Sequence, residues 1–291
     1  WVVLSVLSST SLILTNKFIM KTYEFSYIYT LTCCHFAAGA AFLNVASRVF
    51  GMFEPKSIGL RQNLIVAASA VGSVAAMNLS LQYNSVGTYQ MLKLAVVPTV
   101  MIMERVAMGK PFPSFPIMAS LAVMLVGVAC ATVTDVSFNL LGLAVGMVAV
   151  VTTALFGIWQ GSKQREFGIS APQLLCSIAP YQMLLAGMCA LAFDFQGPRS
   201  IQTHQFYGQE VMLIVASCFI AVMVNMASMS LIGATSAVTY NVVGHAKTCL
   251  ILLSGFLLVP GPSQTVLELA KHFAGVIVGL FGVFSYSYFK L

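Results

Sequence analysis

Charged side chains are scarce in this sequence, and their scarcity narrows its class. Only 8% of the 291 residues are Asp, Glu, Lys or Arg, whereas 59% are hydrophobic. A soluble domain carries about 25% charged residues, so this chain has too few of them to cover a surface that faces water. Its hydrophobic runs are about 20 residues long and do not alternate with polar residues. They therefore predict membrane-spanning helices instead of a β-barrel.

Several kinds of catalytic and binding motif are also missing. The sequence contains no P-loop glycine motif, no His or Cys spacing typical of a metal site, and no recognisable nucleophile and base. It therefore indicates neither an enzyme nor a bound cofactor or metal. The seven cysteines lie in hydrophobic runs without CxxC spacing, and we interpret them as small buried side chains that form no disulfide. No basic stretch is long enough to indicate nucleic-acid binding.

Ten hydrophobic segments predict an all-α polytopic membrane protein with ten transmembrane helices. The predicted spans are 1–20, 26–49, 62–82, 86–107, 114–134, 139–162, 171–195, 209–232, 236–259 and 266–289. With ten spans, both termini lie on the same side of the membrane. That side carries eight basic residues, which are Arg48, Lys56, Arg61, Arg105, Lys110, Lys163, Arg165 and Lys290. The other side carries four, which are Lys17, Lys21, Arg199 and Lys271. The positive-inside rule therefore predicts cytosolic termini.

Two stretches of the sequence resemble two others further along the chain. Residues 85–90 (Ser-Val-Gly-Thr-Tyr-Gln) open the fourth span, and residues 236–241 (Ser-Ala-Val-Thr-Tyr-Asn) open the ninth, 151 residues later. Residues 124–128 match residues 276–280 with an offset of 152. The offset equals five spans, and because five is odd, the second half enters the membrane from the opposite side. We predict a 5+5 inverted repeat, residues 1–135 and 136–291, that forms one transport domain. A channel or scaffold that arose by duplication would show the same pattern.

Two lysines lie deep within predicted spans. A Lys at the centre of a membrane helix costs about 2.5–3.5 kcal/mol on insertion scales, so Lys93 and Lys247 need a physical reason. No acidic residue lies at a matching depth, because Glu104 and Asp135 are near span ends and the others are in or near connectors. A cavity that binds an anion supplies such a reason. The alternative is that each ammonium group contacts a backbone carbonyl or a helix C-terminus.

The neighbours of these lysines support an anion site. Tyr89 is four residues before Lys93, and Tyr240 and Gly244 are seven and three residues before Lys247, so each lysine shares a helix face with a tyrosine. An ammonium group suits phosphate, and a phenol can stack on a base or donate to an oxygen. Other polar groups within the spans complete the set of candidate site residues, which are Tyr181, Gln182, Asn225, Asn241 and His245. His245 and His35 could couple protons, but we favour neutral, hydrogen-bonded histidines.

Specific stretches of the chain carry a family resemblance. They are residues 84–93 continuing to Val97–Pro98, residues 243–248, and the supporting stretches 15–17, 132–136 and 179–182. Through them the chain resembles the nucleotide-sugar and triose-phosphate transporters of the drug/metabolite transporter superfamily, with the closest likeness to plant-type UDP-sugar transporters. The resemblance implies exchange of a cytosolic nucleotide sugar for a lumenal nucleoside monophosphate, in the Golgi membrane. It also implies that Lys93 and Lys247 face the phosphates, and that the region of Tyr181 and Gln182 helps to recognise the base or the sugar.

Two departures from related patterns refine this expectation. GDP-mannose transporters carry Gly-Ala-Leu-Asn-Lys where this chain reads Gly-His-Ala-Lys at 244–247, which argues against guanine. Plastid phosphate translocators place a Lys-Arg pair where Lys247 is followed by Thr248. We therefore expect an antiporter of UDP-sugar against UMP that uses no cofactor, lies in membrane lipid and could form a homodimer. The alternatives are a plastid-type sugar-phosphate/phosphate translocator and a non-transporting scaffold or receptor of the same fold.

Overall fold

A computed structural model describes residues 1–84, 86–132, 139–197, 200–258 and 266–290. Asp135 and Arg199 lie outside the described residues, as do Ser85 and the side chains of Lys17 and Lys21. Within the described ranges the chain forms α-helices and no strand. The helices are α1 Val2–Thr22, α2 Ile28–Arg48, α3 Leu60–Tyr83, α4 Val86–Met108, α5 Phe115–Thr132, α6 Leu140–Glu166, α7 Ala171–Phe193, α8 Gly208–Ala234, α9 Ala237–Leu258 and α10 Val266–Lys290. A short 3-10 turn, Ile201–Thr203, precedes α8.

Each predicted span contains one helix, and local interactions explain where the helices begin and end. The Gln173 side chain accepts a hydrogen bond of 2.8 Å from the backbone N–H of Ser170, which forms a capping box at the start of α7. Helix α6 continues four residues past the predicted end at 162. Lys163 and Glu166 form an ion pair of 2.6 Å on this last turn, and Gly168, at φ +56°, allows the chain to leave the helix.

The hydrophobic helices define a multi-pass membrane protein. Among the described residues, eight helices are long and apolar enough to cross a membrane, namely α1, α2, α3, α5, α6, α7, α8 and α10. Helices α4 and α9 contain Lys93 and Lys247, and each begins within the repeated polar motif.

The chain folds into two compact units, each built from both halves of the sequence. The first comprises Trp1–Ala75 and Phe156–Ser236, and the second comprises Ala76–Leu155 and Ala237–Leu291. Helices α3 and α6 therefore each contribute residues to both units. This division describes packing and is not the division into two five-helix repeats, which remains a prediction about the sequence.

In the first unit, α2 packs on α7 and α8, and α1 packs on α8. Its main hydrophobic core includes Leu43, Val66, Leu174, Ile178 and Met229. The connectors on one side of the unit are ordered by polar contacts as well as by apolar packing. The Oδ2 atom of Asp194, which follows α7, accepts a hydrogen bond of 2.6 Å from the backbone N–H of Thr30 and so caps the first turn of α2.

A buried contact between a histidine and a glutamate joins the α7–α8 connector to the start of α8. The Nε2 atom of His204 lies 2.8 Å from the Oε1 atom of Glu210, whose side chain is completely buried. The His204 ring makes edge-to-face contacts with Phe25 and Tyr27 of the α1–α2 connector, at centroid distances of 5.5 and 5.3 Å. These contacts fix the α1–α2 and α7–α8 connectors to one another.

In the second unit, α5 packs along α10, and α4 and α9 pack on one another and on α5. Helices α5 and α10 approach closely because glycines line their contact. A Cβ atom on Gly282 would lie 2.4 Å from the backbone nitrogen of Met124, and one on Gly275 would lie 2.6 Å from that of Ala131. Close contact between small residues is a common way for membrane helices to associate.

All seven cysteines are free, as predicted. The prediction that they are buried holds for Cys176 and Cys249 only. Cys130 is exposed on α5, and the remaining four, Cys33, Cys34, Cys189 and Cys218, are partly buried. In a membrane helix an apolar side chain can face lipid at no cost, so hydrophobicity alone does not assign it to the interior.

Candidate anion-binding site

Lys93 lies in the second turn of α4, in the second unit. Its Nζ atom is 5.1 Å from the centroid of the Tyr89 ring, one turn earlier, so the two side chains share a helix face as their spacing predicts. Such a contact stabilises the ammonium group by about 0.5–2 kcal/mol. Leu92 and Leu94 on either side are buried, whereas Lys93 is exposed at the surface of the protein itself. The Lys93 side chain is therefore not enclosed by the residues that the structure describes.

Lys247 lies on α9, which packs against α4. The side chains of Lys247 and His245 are partly buried. The two lysines therefore lie on helices that are in contact. Each follows the repeated motif, but the offset of 151 residues aligns Lys93 with Gly244 and not with Lys247. Like charges on neighbouring helices repel one another, and an anion bound between them would relieve that repulsion.

The carboxylate of α4 does not serve as a counter-ion for Lys93. Glu104 is eleven residues further along the helix, which corresponds to about 16 Å at 1.5 Å per residue. Its Oε1 atom is already paired with the Nζ atom of Lys110 at 2.5 Å. Helix α9 contains no Asp or Glu. Neither α4 nor α9 therefore supplies a carboxylate beside Lys93.

The face of α9 that carries Lys247 has free space beside it. Among the residues that the structure describes, a Cβ atom added to Gly244 would meet nothing within 4 Å apart from its own helix, and Tyr240, one turn earlier, is only partly buried. Asn241 is engaged by its own helix, because its Nδ2 atom donates a hydrogen bond of 2.8 Å to the Ala237 carbonyl. Tyr240, Gly244 and Lys247 thus border a region that a ligand could occupy, whereas Asn241 is held against the helix.

The other predicted site residues belong to the first unit. Tyr181 and Asn225 are partly buried, and Gln182 is only 1% exposed. Within the described part of the chain, the Oε1 atom of Gln182 is buried without a hydrogen-bond partner. The structure therefore brings together Lys93, Tyr89, Lys247 and His245 in one unit and places these three residues in the other.

His35 is a buried, hydrogen-bonded histidine. Its Nε2 atom lies 3.0 Å from the Oγ atom of Ser217, and that hydroxyl donates to the Ile214 carbonyl at 2.7 Å. Because the Ser217 hydrogen is used in this way, the Nε2 atom of His35 must be the donor. This bonding agrees with the prediction that His35 is a hydrogen-bonded histidine.

One group of residues was not among the sequence candidates. The Nζ atom of Lys290, at the end of α10, donates hydrogen bonds to the Oγ1 atom of Thr239 and, at 2.9 Å, to the hydroxyl of Tyr286. It also lies 5.3 Å from the centroid of the Tyr286 ring. A sequence signal was available, because Tyr286 and Lys290 have the same spacing as Tyr89 and Lys93.

A multi-pass helical membrane protein with paired cationic side chains within its helices has the features of a solute transporter. Comparison with known proteins identifies the family. The chain belongs to the Triose-phosphate Transporter family, whose model matches residues 1–287. It is accordingly a membrane transporter and not an enzyme, as the sequence predicts.

The chain is similar over most of its length to plant transporters of UDP-sugars. It is 37% identical over 287 residues to UDP-xylose transporter 3 of Arabidopsis thaliana. This alignment covers 98% of this chain and 78% of that protein. It is 35% identical over 288 residues to UDP-rhamnose/UDP-galactose transporter 2 of the same plant. This second alignment covers 98% of this chain and 81% of that protein. These similarities confirm the resemblance predicted from the sequence motifs.

A solved crystal structure shares the fold. It matches with a TM-score of 0.61 and 14% sequence identity, over 94% of this chain and 96% of the other. At this identity the match shows a common fold and carries no information on the substrate.

Proposed function

We propose that this protein exchanges a cytosolic UDP-sugar for lumenal UMP by alternating access, in the Golgi membrane and with both termini in the cytosol. The observation that carries the proposal is the packing of α4, which contains Lys93, on α9, which contains Lys247. The names of the similar plant proteins support a UDP-sugar as the substrate class.

In this proposal the two ammonium groups bind the phosphates of the nucleotide. Tyr89 and Tyr240 flank them and can donate to an oxygen or stack on a ring. The free space beside Gly244 admits the ligand. His245, on the same helix as Lys247, is a further candidate contact to the base or sugar. Tyr181, Gln182, Asn225 and Asn241 remain predictions from the sequence.

Exchange follows from the same pair of charges. A carrier that reorients without a ligand must pass through a closed state in which Lys93 and Lys247 repel one another in a medium of low dielectric constant. Moving a charged group out of water without a compensating partner costs roughly several kcal/mol per ion. Phosphate bound in either direction removes this cost, so loaded carriers reorient and empty ones do not.

Helix contacts support the proposal of an inverted repeat. Helices α2 and α7 pack together in the first unit, and α4 with α9 and α5 with α10 pack together in the second. Each of these pairs joins helices that are five apart in the chain. Such pairs are expected where two five-helix repeats are related by a pseudo-two-fold axis.

The residue after Lys247 favours a nucleotide over a small phosphate ester. The Oγ1 atom of Thr248 donates to the Gly244 carbonyl at 3.1 Å, so this side chain is bonded to its own helix. The position therefore supplies no second cation, such as the arginine of plastid translocators, to hold a compact doubly charged phosphate.

Counterflow in reconstituted liposomes tests the proposal. Vesicles are loaded with UMP, GMP, CMP or inorganic phosphate, and uptake of labelled UDP-xylose and UDP-galactose is measured. We expect uptake with UMP inside and little with the other nucleotides. Labelled triose-phosphate uptake driven only by phosphate would instead identify a plastid-type translocator. Thermal stabilisation by UMP with no uptake from any vesicle would identify a receptor.

A further inference from the structure

The end of α10 folds back onto the beginning of α9. Lys290 could extend into water, as a lysine at the end of a membrane helix usually does. Instead its Nζ atom contacts the Oγ1 atom of Thr239, in the first turn of α9, and the hydroxyl of Tyr286. The Oγ1 atom of Thr239 and the hydroxyl of Tyr286 are themselves 2.9 Å apart, so three polar groups converge at this point.

The position of this ammonium group is electrostatically unusual. The C-terminal end of α10 favours a cation, but the first turn of α9 presents backbone N–H groups and disfavours one. A negatively charged group beside the first turn of α9 would be attracted both by those N–H groups and by Lys290. The arrangement therefore suits an anion that passes this point.

We propose that Lys290 is a third cation of the substrate path, which binds a phosphate of the nucleotide before that phosphate reaches Lys93 and Lys247. This inference rests on the proposed function. Thr239 directly precedes Tyr240 and lies eight residues before Lys247 on α9, or about 12 Å along the helix at 1.5 Å per residue. A phosphate at Lys290 is therefore at a position distinct from, and preceding, the lysine pair.

Two features link Lys290 with the inner site. The ammonium of Lys290 lies 5.3 Å from the Tyr286 ring, and the ammonium of Lys93 lies 5.1 Å from the Tyr89 ring, with the same four-residue spacing. In addition, Thr239 belongs to the repeated motif that opens α9, next to the face that carries the inner lysine. Because α9 begins and α10 ends on the side that the basic residues assign to the cytosol, Lys290 would meet cytosolic substrate first.

A purely structural role makes different predictions. Lys290 also connects α10 to α9 through Thr239, and its only role could be to hold these two helices together. In that case Lys290→Gln and Thr239→Val would reduce thermal stability similarly and leave substrate affinity unchanged. If Lys290 is instead the third cation of the substrate path, its positive charge is what matters. Lys290→Arg would then preserve function, and Thr239→Val would retain the wild-type KM.

The experiment measures exchange of external labelled UMP against internal UMP, which does not depend on the identity of the sugar. For Lys290→Gln in low salt we expect KM to rise roughly 3- to 10-fold with kcat nearly unchanged, because an outer charge mainly affects encounter. The difference should shrink near 1 M salt, where the screening length falls to about 3 Å. Lys290→Arg should resemble the wild type.

Lys110→Gln is the matched control. Lys110 lies in the same unit and on the same predicted side, and its ammonium is paired with Glu104 at 2.5 Å. Its loss should leave KM unchanged. A wild-type KM in Lys290→Gln, or a KM increase of equal size in Lys110→Gln, would refute the role of Lys290 in the substrate path. The proposed function would still stand. A wild type that exchanges no nucleotide would overturn the proposed function and this inference with it.

Discussion

Gly127 of α5 and Gly279 of α10 are in backbone contact, because a Cβ atom built on Gly127 would lie 2.1 Å from the amide nitrogen of Gly279. The same two glycines correspond to one another in the repeated sequence, with an offset of 152 residues. A residue and its repeat equivalent meet where a two-fold axis passes between them. This contact is therefore a local feature that the proposed inverted repeat predicts.

Replacing Gly127 with Ala should destabilise the protein. A Cβ atom cannot fit 2.1 Å from a backbone atom, so α5 and α10 must separate. Overpacking of this kind costs about 1–3 kcal/mol, and we expect a lower thermal midpoint in detergent. Gly39→Ala on α2 is the control, because its Cβ would meet nothing within 4 Å. Equal midpoints for the two variants would show that the α5–α10 contact is looser than described.

Lys93→Ala or Lys247→Ala should nearly abolish nucleotide exchange. Each removes a charged contact to phosphate, worth about 1.5–3 kcal/mol, and the remaining lysine cannot neutralise the ligand alone. Uptake should fall by roughly 100-fold or more if exchange needs both charges. The measurement is UMP counterflow, with thermal unfolding to show that the variants remain folded. Uptake at the wild-type rate in both variants would refute the role of the lysine pair.

The sequence predicts most of the fold because bilayer thickness constrains the length of each hydrophobic run. Each predicted span holds one helix, and α6 is longer than predicted because polar residues 163–166 continue the helix outside the hydrophobic run. Local spacing also predicts correctly that Tyr89 and Lys93 share a face. Hydropathy does not indicate which face of a helix packs inward, and so it did not reveal that Gln182 is buried.

Side-chain direction at helix ends is another property that sequence does not reveal. The positive-inside rule counts Lys290 among the basic residues of the cytosolic side, because it assumes that such residues extend into water. Its contact with Thr239 depends on how α9 and α10 pack, and those two residues are 51 positions apart. Similarly, the capping of α2 by Asp194 joins elements separated by 164 positions.

Substitutions of Gly244 should separate ligand binding from folding. Gly244→Ala should be at least as stable as the wild type, because Ala is better than Gly in a helix by about 1 kcal/mol and its Cβ would meet nothing within 4 Å. Gly244→Leu should fold as well but fill the space that we assign to the ligand, and so raise KM for UMP severalfold or more. Thermal unfolding and counterflow on both variants measure the two effects. An unchanged KM in Gly244→Leu would place the ligand elsewhere.

Asp194 should make stability depend on pH. Burial raises the pKa of its carboxyl above the ordinary value of 3.8, although hydrogen bonds from Thr30 and Tyr29 partly oppose the shift. The folded protein therefore holds this proton more tightly than the unfolded chain does. Linkage then requires that Asp194 stabilises the fold most at low pH, and that this contribution is lost as pH rises from 3.8 through the raised pKa.

Asp194→Asn isolates the pH-dependent contribution of this carboxyl to stability. Its amide oxygen can still accept a hydrogen bond from the backbone N–H of Thr30, and the amide does not titrate. We expect the thermal midpoint of the wild type, relative to that of Asp194→Asn, to fall as the pH rises through this interval and to level off above it. Thermal unfolding of both proteins in the same detergent across a pH series measures the difference. A relative midpoint that rises with pH would mean that the hydrogen bonds outweigh burial, and that the carboxylate caps α2 in its charged form.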